Sequence, residues 1–195
     1  MLWSTLMKIG DFTVLLKAQL MKKLDIRSSG VSSRIPFSSL HCVFLDYDNI
    51  DDDRLKEELE FLQSNFELGN FYVLKTREFG RHAVCVDALR FKDAKEIVDF
   101  SSCDVMFKRA PRINEYRAWV LRYSKKGNRE EPKYLYTVES EFEGKNLQSV
   151  GHAKYLLNFG LKVDLKNPFG TEDIETQNYN TGKRTEKEKT EEKPD

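Results

Sequence analysis

The chain has 195 residues, enough for one domain with its own core and a short appendage, and its 32 Lys/Arg cancel its 32 Asp/Glu. Three cysteines, Cys42, Cys85 and Cys103, with no Cys-x-x-Cys spacing, argue against a disulfide framework and for buried thiols in an intracellular, cytoplasmic protein. The zero net charge hides an asymmetry. Residues 171–195 carry 8 acidic and 5 basic side chains, whereas Lys108 to Lys133 holds 9 Lys/Arg against 3 Glu, net +6, as expected where a protein meets phosphates.

The N-terminal apolar residues Leu2, Trp3, Leu6 and Met7 are interrupted by Lys8 and Asp11. The following run is too short for a secretory core or a membrane span, so an amphipathic helix from about Asp11 to Leu24 is predicted, and no membrane association. Ser28 to Ser39, with Gly30 and Pro36, reads as a linker. Residues 1–39 are thus expected to form a helix and linker, 40–169 the main domain, and 170–195 a disordered charged tail.

Within the main domain, His41 to Asp48 reads as a strand that ends in two aspartates, Asp46 and Asp48. Asp51 to Phe66 reads as a helix, with acidic residues in its first turn and Leu55, Leu59 and Leu62 on one face. Phe71 to Thr76 and His82 to Asp87 are predicted strands, Lys92 to Phe100 a helix with Ala94, Ile97 and Val98 inward, and Cys103 to Phe107 a fourth strand. This β-α-β-β-α-β order defines an α+β fold of ferredoxin or RRM type, with helices on one sheet face and the other free for ligands. The first and third strands are expected to run parallel, and the fourth antiparallel to the first. Additional C-terminal elements follow: strands at Tyr116–Ser124 and Lys133–Glu139, a helix from Asn146 to Phe159 ended by Gly160, and a strand at Leu161–Leu165.

Alternate strand residues share a face, so Asp46 and Asp48 project together. Two carboxylates so placed repel one another unless a cation lies between them, and hard cations take one or two carboxylates plus phosphate oxygens. The bland reading is capping of the next helix. Asp104, placed by the strand order at the same sheet end, favours a metal site. A second cluster, Thr76-Arg77-Glu78-Phe79-Gly80-Arg81-His82, sets a glycine and a histidine between basic residues, where a phosphate can approach the backbone. His82 then begins a strand at the sheet end away from the aspartates. Asp87 is a competing acid, on the opposite strand face from His82. A third cluster, Trp119 to Gly127, offers Arg122 and Lys125 as cations for a triphosphate.

These three clusters together resemble the archaeo-eukaryotic primase superfamily, including the primase–polymerases of archaeal plasmids and viruses. The resemblance runs from about Val43 to Glu139 and rests on an Asp-x-Asp motif, a Ser/Thr–Gly–His motif, a third acid and a later basic residue. It implies a DNA primase/DNA-directed polymerase, a nucleotidyltransferase, with Asp46, Asp48 and Asp104 as catalytic ligands of Mg²⁺ or Mn²⁺. Thr76, Arg77, Gly80, Arg81, His82, Arg122 and Lys125 would bind the nucleoside triphosphate. Lys108, Arg109, Arg112, Lys126 and Arg129 would follow a single-stranded or primed DNA template, with a separate helicase or replication subunit as partner. The second reading is a non-catalytic RRM-like nucleic-acid-binding replication protein that stacks bases on Tyr72, Trp119 and Tyr123. A rolling-circle endonuclease needs paired histidines, and His41, His82 and His152 are each solitary.

Overall fold

Cys42, Val43, Phe44 and Leu45 are fully buried in the computed structural model, as a strand covered on both faces must be. The structure describes residues 30–113, 117–125 and 129–169, together with the backbone of 2–9 and 12–19. In chain order these form β1 (Leu2–Ile9), β2 (Phe12–Gln19), β3 (Gly30–Ser32), β4 (Leu40–Tyr47), α1 (Asp52–Phe66), β5 (Phe71–Lys75), β6 (Arg81–Arg90) and α2 (Phe91–Phe100). Then come α3 (Val105–Ile113), β7 (Val120–Arg122), β8 (Lys133–Val138), β9 (Gln148–Ser149), α4 (Val150–Leu156), a 3₁₀ turn (Leu157–Phe159) and β10 (Pro168–Phe169). The class is α+β.

The central sheet runs β4–β6–β5–β8 with every neighbouring pair antiparallel. β6 lies between β4 and β5, the two strands that α1 connects. Asp51 caps α1 by accepting the Arg54 amide at 2.9 Å, and Leu55, Leu59 and Leu62 are buried as their spacing requires. The helix ends at Glu67, whose φ of 52° turns the chain back into β5. Ala94, Ile97 and Val98 are the buried positions of α2.

Several expectations are corrected. The first and third strands, β4 and β6, are antiparallel, because β6 returns as a hairpin from β5. The Cys103–Phe107 segment is not a strand. Asp104 accepts the Phe107 amide at 2.8 Å and starts α3, while the edge of β4 that a fourth strand needs is taken: Arg34 bridges His41, and the Cys42 amide donates to Ser33 O at 2.8 Å. Residues 30–39 of the Ser28–Ser39 stretch are accordingly not a free linker, and Ser28 and Ser29 lie outside the described residues. β3 pairs with β7, and Ser33 is buried with its hydroxyl 3.2 Å from His41 Nδ1.

Residues 12–19 form a strand rather than part of a helix, paired with β1 across the two-residue gap at Gly10-Asp11. That register sets Trp3, Met7 and Ile9 opposite Ala18, Val14 and Phe12. Leu161–Leu165 is not a strand; the last one is Pro168–Phe169, parallel to β9. Nor is the second sheet face left bare. α4 covers its middle, with His152 5.6 Å from the Phe44 ring. Both it and His41 are buried and tied to serines, His152 to Ser149 Oγ at 2.8 Å. The 170–195 tail lies outside the described residues.

Candidate nucleotide and metal site

The antiparallel pairing decides where the site falls. It puts Asp46, near the end of β4, directly opposite His82, near the start of β6. The His82 Nε2 atom stands 3.6 Å from Asp46 Oδ1, facing it without a hydrogen bond. Burial, and then the nearby charge of Arg122, lower the His82 pKa to about 3, so the imidazole is neutral. Its Nδ1 is buried with no partner among the described residues.

Asp46 is the most perturbed acid on this face. Burial first, then the negative charges of Asp48 and Asp104, push its carboxyl up to about 6, against the opposing pull of Arg77 and Arg122. Asp104 reaches it by a route other than the expected one. Its amide donates to the Asp46 carbonyl at 2.8 Å, so the start of α3, and not a strand, delivers the third acid. Asp48 is exposed and pairs with Arg77, whose Nη2 lies 2.5 Å from Asp48 Oδ1 and also donates to the Asp48 carbonyl at 2.8 Å. Among the described residues, no three His, Cys, Asp or Glu side chains close on a single point tightly enough to hold an ion. The donors are nonetheless hard oxygens that repel one another, which suits a divalent cation bound by one or two carboxylates with substrate oxygens completing its shell.

Thr76 and Gly80 close the turn between β5 and β6, with the Thr76 amide donating to Gly80 O at 3.0 Å. A Cβ on Gly80 would lie 2.5 Å from both Thr76 Oγ1 and Arg77 Cγ, so the turn needs glycine there. Arg81 is corrected as a phosphate ligand. It is buried, its Nε and Nη2 grip Asp52 at 2.8 and 3.1 Å, and its Nη1 donates to the carbonyls of Arg77, Glu78 and Gly80. Its work is to fasten the turn to the first turn of α1.

Arg122 does join the cluster from β7. Its Nη1 donates to Ser124 O at 2.6 Å and Glu130 O at 2.7 Å, and its charge acts on both Asp46 and His82. Burial and Arg129 lower its pKa, while Asp46 and Tyr155 raise it. Lys125 and Arg129 are exposed beside this strand; Lys126 lies outside the described residues. On α3, Arg109 and Arg112 are exposed, but Lys108 is spent on the carbonyls of Asp99 and Ser101 at the end of α2.

Sequence reasoning missed Asp52, the anchor of Arg81, and Tyr155, a buried α4 side chain beside Arg122 whose hydroxyl has no partner among the described residues. An acidic first turn reads as dipole compensation, which hides the ion pair of Asp52; nothing in the sequence near Tyr155 signals its neighbour. Of the residues expected to stack bases, Tyr72 is 5% and Trp119 0% exposed, so both serve the core, and Trp119 stacks on Phe91 at 5.6 Å. Tyr123 is exposed. The three cysteines are free and buried, and among the described residues no helix is long and apolar enough to cross a membrane. No protein-family model matches this chain, and neither a curated protein nor a solved structure matches it.

Proposed function

We propose that this chain is the catalytic core of a metal-dependent nucleotidyltransferase, a primase–polymerase that adds nucleotides to a primer or starting chain on a DNA template in plasmid or virus replication. The observation that carries the reading is that His82 Nε2 faces Asp46 Oδ1 at 3.6 Å at one sheet end, with the Asp104 amide bonded to the Asp46 carbonyl and the charges of Asp48, Asp104 and Arg122 acting on the Asp46 carboxyl. On this reading the sheet is a variant of the RRM-like core of archaeo-eukaryotic primases, in which α3 replaces the fourth strand.

Asp46 and Asp48, with substrate oxygens and with Asp104 as a neighbouring charge, would hold Mg²⁺ or Mn²⁺, which when bound would supply activation of the attacking 3′-hydroxyl and neutralisation of the leaving pyrophosphate. The other side chains bind and orient. A neutral His82 has one N–H to give, and with Nδ1 buried away from any partner, Nε2 is the atom positioned to offer it to a phosphate oxygen. Arg122, held by two carbonyls, sets a fixed positive charge against the triphosphate. Arg77, paired with Asp48 at the same rim, would serve as a second phosphate ligand. Arg109, Arg112 and Arg129 present exposed charge to the template backbone, a contact that weakens with salt.

The test is incorporation of labelled nucleotides on primed and unprimed DNA with Mn²⁺. Extension that disappears in Asp46→Ala/Asp48→Ala supports the proposal. DNA binding without any extension by the wild-type chain overturns it in favour of a binding module.

A further inference from the structure

A cleft of about 620 Å³ is lined by Tyr123, Ser124, Glu131, Lys133, Asn158 and Phe159, and the Ser124 carbonyl on its wall accepts from Arg122 Nη1 at 2.6 Å. The size is that of a small-molecule site. Two of its walls are aromatic, and both are braced by one buried ring. Tyr155 is 7% exposed and meets Tyr123 edge to face at 5.9 Å and 70°, and Phe159 at 5.2 Å and 81°. Ser124 and Asn158 bring a hydroxyl and an amide to the same space, a mixed lining that suits a flat heteroaromatic with hydrogen-bonding edges better than an aliphatic chain. The cleft starts one residue from the arginine that acts on Asp46 and His82.

We infer that this cleft is the nucleoside subsite: the base of the incoming nucleotide stacks on Tyr123 and Phe159 while its phosphates lie toward Arg122 and His82. The inference rests on the proposed nucleotidyl transfer and adds the base-binding half of the site. Stacking accepts every base, because each offers a π face, so the subsite sets affinity and position without choosing sequence; the template does the choosing. Asn158, exposed at the rim, meets the base edge or the sugar.

Equilibrium binding tests this with Ca²⁺ in place of a catalytic metal and two probes, 2-aminopurine deoxynucleoside triphosphate and inorganic tripolyphosphate. The nucleotide is expected to bind about tenfold or more tighter than tripolyphosphate, with quenched 2-aminopurine emission. Tyr123→Ala and Phe159→Ala should each remove most of that advantage and leave tripolyphosphate unchanged, whereas Tyr123→Phe, which keeps the ring, restores it. Arg122→Ala should weaken both probes. Equal affinity for the two probes, or ring variants that leave the nucleotide unaffected, overturns the base subsite while the phosphate site stands. Nucleotide binding that depends on the rings without any tripolyphosphate binding supports the cleft and counts against the phosphate reading. No binding of either probe overturns both.

Discussion

The two ends of β6 hold buried titratable groups in different ways. At the far end Asp87 is 0% exposed; its Oδ2 accepts the Gly69 amide at 2.8 Å and the Asn146 side chain at 2.9 Å, while its Oδ1 has no partner among the described residues. Burial first, and then the charge of Glu143, raise the Asp87 pKa, and Glu143 itself accepts from the Asn70 amide and from Gln148. That end is a staple: its acids tie down the turn between α1 and β5. At the near end His82 has an orphaned nitrogen, Asp46 faces two like charges, and Arg122 is held as a cation in a partly buried place. Each end keeps one unpartnered buried atom, and what separates them is charge: the far-end acids are bound to backbone amides and side-chain amides, whereas near-end carboxylates face like charges beside an arginine.

The largest effect that would break this contrast is on turnover. Asp46→Asn should cut nucleotide incorporation by roughly 10³-fold or more, since it removes a metal-binding oxyanion at constant shape; a variant with near-normal incorporation ends the catalytic reading of the near end. Next comes Asp87→Ala, which strands the Gly69 amide and the Asn146 side chain and should destabilise the fold by about 3 kcal/mol in urea unfolding. Incorporation per folded molecule should stay unchanged, and a selective loss of activity would move the site to the far end.

His82→Gln should weaken nucleotide binding about tenfold to a hundredfold in the same titrations, with little change in unfolding midpoint, because the orphaned Nδ1 has no bond to lose. The smallest effect is on pH. Asp46 has a folded pKa of about 6, above the 3.8 of the unfolded chain. The folded state therefore binds the extra proton between those values, and the metal-free protein gains stability as pH falls from 6 toward 4. Above pH 6 the penalty is fully present. Asp46→Asn should relieve it by about 1 kcal/mol at pH 7.5, a figure discounted for the partial exposure of the side chain. Unfolding curves that keep their slope over pH 4–6 in that variant would assign the proton elsewhere, Asp87 first.

Local pattern carried the reading of the central elements. The apolar runs of β4, β5 and β6 and the leucine spacing of α1 write their burial into the chain, because strands and helices repeat at 2 and 3.6 residues. Which strand edges were free was not legible. Whether Cys103–Phe107 could add a strand depended on that edge being open, and Ser33 and Arg34 close it by folding back onto Cys42 and His41 from a stretch that reads as a linker. The gathering of Asp104 with Asp46 was anticipated for the wrong reason, through a strand that does not form. His82 shows the converse: its residue type made it a candidate at the wrong sheet end, and only the hairpin geometry brought it beside Asp46. Arg81 looked like a phosphate ligand because basic residues beside a glycine do so in any sequence; its partner Asp52 belongs to a different element.

The clamp made by Arg81 has a consequence for how a ligand arrives. One guanidinium rivets the 76–80 turn to α1 through a carboxylate and three carbonyls, so this side of the candidate site is built before anything occupies it. Such a wall loses little freedom on docking and leaves more of the contact energy as affinity. On the proposed function, any closing motion has to come from some part of the chain other than this rigid rim.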